Sequence, residues 1–211
     1  VKSDILDAPG EVETDVLQAM SGRVKINMDA VWTYPAEQEI SGVETDATDA
    51  AKAGAPNAVF VRAYDAGVMK PGSVNVDIGG GSFENATRYL AERDVTNLVY
   101  DPFNRTLTHN NEVVSRVSNP RADTVIVADV LNVIREPEER LKVIAQANDA
   151  VKDDGVVYFA IYEGSESGVW EQYADEWQNN AKAASYKSEV EQFFDDVEVK
   201  GIDVIARKPR N

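Results

Sequence analysis

Four short apolar runs predict the buried strands of this chain. They are residues 74–78, 97–100, 124–128 and 156–162. Strands that are covered on both faces of a parallel sheet give such near-continuous apolar runs. The last strands differ, since residues 197–200 and 202–207 are separated by Gly201 and predict an antiparallel, hairpin-like ending. The pattern predicts an α/β fold with a mostly parallel sheet and a C-terminal antiparallel strand.

Between these runs the apolar positions recur at helical spacing. The helix of residues 55–69 has Pro56 in its first turn and Gly67 at its end. The helix before the final strands has a possible capping box from Ser188 to Glu191. Residues 153–155 predict a turn. The predicted helices are residues 11–20, 55–69, 83–93, 105–118, 135–147 and 188–194.

Trp170, Tyr173 and Trp177 follow one another at intervals of three and four residues. This spacing is typical of one face of a helix. The three rings can form a lid over a substrate or the buried face of that helix, and we favour the buried face.

The first part of the chain is more polar. We divide the chain into an N-terminal helical and loop segment, residues 1–54, which caps the site, and an α/β domain, residues 55–211. Trp32 and Tyr34 lie in the first segment. They can stack against a substrate, but core packing is the more common use of such rings.

The composition narrows the possible chemistry. The chain has 211 residues, a formal net charge of −16 and no Cys, so disulfides, thiolate metal sites and Cys nucleophiles are excluded. The lone His109 cannot form a metal cluster by itself, and we predict no metal site; a surface or capping role suits it better. An acidic surface repels nucleic acid and anionic membranes. With no apolar run of 18 residues, we expect an acidic, cytoplasmic protein that does not span a membrane.

The candidate chemistry centres on the glycine turn after the first strand, Asp77-Ile78-Gly79-Gly80-Gly81. Glycines remove the Cβ atoms that would hold a ligand away from the backbone, and a helix start offers free N–H groups. A dinucleotide site needs a third glycine, but Glu84 stands there and would repel a pyrophosphate. An ordinary strand-to-helix turn is the alternative reading.

Asp101 ends the second strand, 24 positions after Asp77. That spacing suits a carboxylate that accepts hydrogen bonds from two ribose hydroxyls. An acid before Pro102 can also simply form a turn.

The glycine turn resembles motif I of the class I S-adenosylmethionine-dependent methyltransferases. The sequences Tyr100-Asp101-Pro102 and Leu131-Asn132-Val133-Ile134, followed by Pro137 and Glu139-Arg140, resemble a subset of bacterial and phage methyltransferase-like proteins. The resemblance covers about residues 55–208. It implies a Rossmann-like fold and S-adenosylmethionine as the cofactor. Only about 20 residues separate the second and third predicted strands. One central strand–helix unit of that fold, which normally helps to build the adenine-binding wall, is therefore expected to be shortened or lost.

The resemblance also implies residue roles. The acid at the end of the first strand lies near the methionine part of the cofactor, and the acid of the second strand binds the ribose. Asp129 and Asn132 are expected beside the transferable methyl group; alternatively, Asp129 fixes its loop and Asn132 caps a helix. The candidate cofactor-binding residues are Asp77, Gly79, Gly80, Gly81, Phe83, Asp101, Phe103, Asp129 and Asn132. The candidate bases, in order of preference, are Asp129, Glu163 and Tyr162.

The implied activity is direct methyl transfer to an unidentified acceptor, in which alignment of the two reactants supplies most of the catalysis. The acidic surface favours a small-molecule acceptor over nucleic acid. Two alternatives stay open: a protein of this fold without transferase activity that serves as a binding or regulatory module, and a nicotinamide-dependent oxidoreductase, which Glu84 disfavours. The sequence does not indicate the oligomeric state.

Overall fold

A six-stranded, mostly parallel sheet forms the centre of the structure. The computed structural model describes residues 31–32, 54–174 and 176–210. The strand order is β2-β1-β3-β4-β8-β7; β1 to β4 are parallel, and β8 is antiparallel to both β4 and β7. The strands are β1 (Val74–Ile78), β2 (Thr96–Tyr100), β3 (Ala122–Ala128), β4 (Val151–Ala160), β5 (Trp170–Tyr173), β6 (Glu176–Asn179), β7 (Phe194–Lys200) and β8 (Asp203–Pro209). The Rossmann-like α/β fold and the antiparallel ending are therefore confirmed.

Helices cover both faces of this sheet. Val59, Phe60 and Leu90 pack with Ile126 and Ile205 on one face. The other face packs against the helices that follow β2 and β3. The helices are α1 (Ala58–Asp65), α2 (Asn85–Ala91), α3 (Leu107–Ser118), α4 (Pro137–Ala150) and α5 (Lys187–Val190), with 3-10 turns at Leu131–Val133 and Ala183–Tyr186.

The crossover from β2 to β3 contains one helix, α3, and no strand. Within the described residues, β2 consequently forms an edge of the sheet. The expected shortening of the fold is therefore present, and it lies at an edge of the sheet, not in its centre.

Three local predictions were wrong. Residues 170–177 form no helix, because β5 and β6 pair as an antiparallel hairpin with Gln172 opposite Trp177. The predicted turn at 153–155 lies inside β4, where the register with β3 shifts by three residues: Ala122 of β3 pairs with Val151, but Thr124 already pairs with Val156.

The last helix is also shorter than residues 188–194. It consists of a 3-10 turn that leads into the four residues of α5, and the residue before α5, Tyr186, makes no side-chain cap hydrogen bond. The capping box predicted from Ser188 is therefore wrong.

The predicted helix of residues 11–20 and Tyr34 lie outside the described residues. None of the helices in the described part of the chain combines the length and the apolar content that a membrane crossing needs.

Candidate functional site

The predicted site residues lie at or just after the carboxyl ends of β1, β2, β3 and β4. These ends lie at one edge of the sheet because the four strands are parallel. After β1 the chain enters α2 on one face of the sheet, and after β3 it enters α4 on the other face. A crevice opens in parallel sheets where neighbouring connections leave in opposite directions, and ligands bind there.

The glycine turn lies at this crevice. Gly79 (φ +77°) and Gly81 (φ +70°) have left-handed backbone conformations, which glycine adopts without strain. A Cβ atom on Gly79 would lie 2.5 Å from Cγ2 of Val130, and one on Gly80 would lie 2.4 Å from Oδ2 of Asp77. Two of the three glycines thus make room for the protein's own side chains. A Cβ on Gly81 would meet no heavy atom within 4 Å, so the backbone is open to a ligand there.

Asp77 is 3% exposed, and its carboxyl group lies against the backbone of Gly80 in this turn. Burial raises the pKa of Asp77 to about 7, which a hydrogen bond with Asn97 opposes. The negative charge of Asp101 adds to the increase, and the positive charge of Arg105 works against it. The group consequently exchanges its proton near neutral pH, where an exposed Asp is fully ionised.

Asp101 lies on the other side of the glycine turn. Its Oδ2 accepts a hydrogen bond from the Gly81 N–H at 2.9 Å and another from the side-chain amide of Asn104 at 3.2 Å. Its Oδ1 accepts from the N–H groups of Phe103 at 2.9 Å and Asn104 at 3.0 Å. The two predicted acids thus contact the same turn, as expected. All four acceptor positions of the Asp101 carboxylate are already used within the protein.

Arg105 holds the same turn from outside and was not predicted. Its guanidinium donates to the Gly81 carbonyl at 2.8 Å and forms an ion pair with Glu84. Burial alone would raise the pKa of Glu84, but the hydrogen bond and charge of Arg105 lower it below its ordinary value. The helix start that carries Glu84 therefore presents a neutralised pair, not a lone carboxylate.

Two exposed aromatic residues follow the glycine turn and Asp101 in the chain. Phe83 follows Gly81 by two residues, Phe103 follows Asp101 by two residues, and both side chains are nearly half exposed. Exposed Phe rings beside a cleft offer an apolar surface to a planar ligand.

Asp129 begins the loop after β3. Its N–H donates to the Ala160 carbonyl at 2.9 Å, and its Oδ2 accepts from the side-chain amide of Asn57 at 2.8 Å. Burial raises the pKa of Asp129, although the hydrogen bond from Asn57 and the charge of Arg62 oppose this. These contacts fix the loop, as the alternative reading proposed, while a role as catalytic base stays a prediction.

Asn132 lies in the 3-10 turn that follows and is 1% exposed. Its amide nitrogen donates to Oε1 of Gln178 at 3.1 Å, so the loop after β3 is tied to the β5–β6 hairpin. Its Oδ1 is buried and has no hydrogen-bond partner among the described residues. Val130 is the N-cap of this turn, and Asn132 lies inside the turn. The alternative that Asn132 caps a helix is therefore wrong.

Tyr162 and Glu163, the two remaining candidate bases, follow β4 but differ in their surroundings. The Tyr162 side chain is exposed and lines a cavity beside the hairpin. The Glu163 carboxylate accepts a hydrogen bond from the Ala183 N–H at 2.7 Å. The Tyr162 side chain is therefore exposed, whereas the Glu163 carboxylate is hydrogen-bonded to the chain that leads into α5.

Three other side chains hold the second strand and its loop. The Asn110 Oδ1 accepts from the Asp101 N–H, and its amide donates back to the Asp101 carbonyl. The His109 ring contacts the Val99 carbonyl at 2.7 Å, so its role is to attach α3 to β2. Trp32 packs edge-on against Tyr100 at 4.9 Å, which confirms the core-packing reading for this ring. Arg105 and Asn110 lay in a polar stretch where no periodicity or motif marked them.

The comparisons with known proteins give fold likenesses only. No family model and no curated protein sequence matches this chain. The structure is similar to a SAM-dependent methyltransferase from Aquifex aeolicus, with 13% identity over 77% of this chain and 98% of that chain and a TM-score of 0.48. A TehB-like SAM-dependent methyltransferase from Corynebacterium glutamicum gives 16% identity over 76% and 92% of the two chains, with a TM-score of 0.47. A third, from Clostridium acetobutylicum, gives 13% over 71% and 88%, with a TM-score of 0.47. At these values the likeness carries no inference about activity.

Proposed function

We propose that the chain is an S-adenosylmethionine-dependent methyltransferase. The observation that carries the proposal is the open backbone at Gly81, where no heavy atom lies within 4 Å of a Cβ position, directly beside the Asp101 carboxylate. This combination stands at the carboxyl edge of β1 and β2, where parallel sheets bind their ligands.

The residues around the turn fit a sulfonium nucleoside. Asp101 supplies the carboxylate for the ribose hydroxyls, and the rings of Phe83 and Phe103 supply apolar surface for the adenine. The buried Asn132 Oδ1 lacks a partner among the described groups and can accept a hydrogen bond from the amino group of the methionine part. When bound, the cofactor supplies an activated methyl group. The chain's own part is to hold and align the reactants.

Asp101 must release an internal donor to bind a ribose. The amide of Asn104 is the longest of its four contacts at 3.2 Å, and a side chain turns away more easily than a backbone N–H. We therefore infer that a ribose hydroxyl replaces the Asn104 amide as a hydrogen-bond donor to Oδ2 of Asp101.

Isothermal titration calorimetry with S-adenosylhomocysteine tests this assignment. Asp101→Asn should weaken binding about 10- to 100-fold, since a hydrogen bond to a charged group contributes about 1.5–3 kcal/mol. Asn104→Ala is the matched variant, because it removes only the competing amide and should leave affinity unchanged or raise it. NAD should give no binding heat. Undetectable binding of S-adenosylhomocysteine, or binding that Asp101→Asn leaves unchanged, would contradict the proposal.

A binding or regulatory module without transferase activity is the second candidate. It is favoured by the Asp101 carboxylate, whose four acceptor positions are satisfied within the chain. Turnover of methyl-labelled S-adenosylmethionine against pools of metabolites, protein and nucleic acid separates the two. Cofactor binding with no labelled product in any of the three pools favours the module.

A further inference from the structure

An open cavity of about 420 Å³ lies between the loop after β4 and the β5–β6 hairpin. Its volume falls within the range of small-molecule sites, about 300–1,000 Å³. Tyr162, Tyr173 and Trp177 are aromatic residues of its wall, and Val133, from the 3-10 turn after β3, also lines it.

This cavity is joined to the glycine turn by a short stretch of chain. Val130 fills the space above Gly79, and Val133, three residues later, lines the cavity. Gln178 connects the same parts, since it accepts from Asn132 at 3.1 Å and donates to the Tyr162 carbonyl at 2.9 Å. A molecule in the cavity is therefore a neighbour of the proposed cofactor site.

The charge of the lining selects one class of ligand. Glu176 is a carboxylate in the wall, and the lining residues include no Lys, Arg or His. The Tyr173 hydroxyl donates to the carboxylate of Glu171, which brings a second acid to the rim. An anionic ligand would meet these carboxylates and no Lys, Arg or His among the lining residues, whereas a cation gains from both the rings and the acids.

One ring of the wall already holds a cation in the structure. The guanidinium of Arg135 lies 3.9 Å from the centre of the Trp177 ring. The amide of Asn180, in contrast, is used internally, since its Oδ1 accepts from the Ser165 N–H and its nitrogen contacts the Val169 carbonyl. Because Arg135 already covers the Trp177 ring, recognition falls to the Tyr162 and Tyr173 rings and to the negative charge of the two acids.

We propose that the cavity binds the methyl acceptor and that this acceptor is a small amine, held as its ammonium ion; the inference rests on the proposed methyltransferase function. The ammonium releases one proton to solvent through the open mouth. Its nitrogen lone pair then forms the bond to the methyl carbon, and the electron pair of the broken carbon–sulfur bond stays on sulfur. The product is a methylammonium ion and a neutral thioether.

Calorimetry on the full chain with three probes of similar size tests this inference. Benzylamine should bind at least about tenfold more tightly than benzyl alcohol at neutral pH, because only the amine carries a positive charge. Benzoate should bind more weakly than both. Tyr162→Leu and Glu176→Gln should each reduce the preference for the amine, whereas Glu112→Gln, an exposed site on α3, is the charge-matched control and should not.

No saturable binding of benzylamine, equal or tighter binding of benzoate, or a preference that neither variant reduces would overturn the inference. Titration of S-adenosylhomocysteine in the same samples separates this failure from that of the proposed function. Binding of the nucleoside without an amine preference removes the amine class alone. An amine preference without nucleoside binding leaves an amine site in a protein that is not a methyltransferase.

Discussion

Asp77 shows how the glycine turn is built at the scale of single residues. Its carboxyl lies under Gly80, in a space that any other residue at position 80 would occupy. The surrounding charges are mixed, since Asp101 and Glu84 raise its pKa and Arg105 lowers it, while burial dominates. The pKa of about 7 therefore belongs to the folded chain and disappears on unfolding.

This difference makes stability depend on pH. The folded chain binds the Asp77 proton more tightly than the unfolded chain, so the contribution is complete below a pH of about 4 and is lost as the pH rises through about 7. Asp77→Asn keeps the shape of the side chain but removes the carboxyl group that titrates. The free energy of unfolding of the variant should rise relative to the parent by up to roughly 4 kcal/mol between pH 4 and 8. Urea unfolding across this range measures it, and parallel curves for the two proteins would refute the assignment.

Gly79 and Gly81 form a matched pair for a second prediction. Both have positive φ, but only Gly79 faces a side chain where a Cβ would stand. Gly79→Ala should destabilise the chain by about 2–4 kcal/mol, and Gly81→Ala by about 1 kcal/mol. Gly81→Ala should instead weaken S-adenosylhomocysteine binding about tenfold or more, since the methyl group enters the open space. Thermal unfolding and calorimetry on both variants check this, and a reversed order of stabilities would contradict it.

The sequence allowed the meeting of Asp77, Gly81 and Asp101 to be predicted, because successive parallel strands end at one edge. The sequence did not allow the prediction that all four acceptor positions of the Asp101 carboxylate are used within the protein. It depends on Asn104 and on the N–H of Phe103, which turn inward only once the loop has closed. The need for glycine at position 79 likewise depends on the side chain of Val130, which is 51 positions away in the sequence.

At the scale of elements, the helix predicted over residues 170–177 was wrong, because these residues belong to the β5–β6 hairpin. Trp170, Tyr173 and Trp177 repeat at helical intervals, yet Gln172 pairs with Trp177 across two strands. Short hairpins are usually marked by Asn-Gly or Asp-Gly between the strands. Here Ala174 carries the positive φ instead, so the usual signal was missing. The buried parallel strands were predictable because their apolar runs have few other uses in a chain of this kind.

The start of α1 offers a test at this scale. The Asn57 side chain caps the helix by accepting from the Val59 N–H, and the same side chain donates to Asp129. Asn57→Ala should lower the free energy of unfolding by about 1–2 kcal/mol, since it removes both bonds. Asn57→Ser is the control that keeps an acceptor for the cap and loses only the amide donor. The two variants should differ by about 1 kcal/mol in urea unfolding, and equal losses would show that the cap contributes nothing.

At the scale of the whole molecule, the formal net charge of −16 acts on stability. Like charges repel more in the compact chain than in the unfolded one, and salt shortens the Debye length from about 10 Å at 0.1 M to about 3 Å at 1 M. The melting temperature should therefore rise with NaCl over this range, and KCl should act equally. Circular dichroism melts measure it; a melting temperature that falls with both salts would contradict the prediction.

The arrangement of the sheet connects these scales. The order β2-β1-β3-β4-β8-β7 places Gly81, Asp101 and the hairpin cavity along one edge. The six strands of the main sheet followed from the chain's apolar runs, whereas β5 and β6 did not. The position of the hairpin did not, because it depends on the contact of Gln178 with Asn132, 46 residues apart.

A crystal structure of the chain with S-adenosylhomocysteine tests the central claim most directly. We predict the ribose hydroxyls within hydrogen-bond distance of the Asp101 carboxylate, with the Asn104 amide turned away. We also predict the sulfur beside Gly81 on the side that faces the hairpin cavity. A ribose bound elsewhere, or a glycine turn with no ligand against it at saturating nucleoside, would contradict the account.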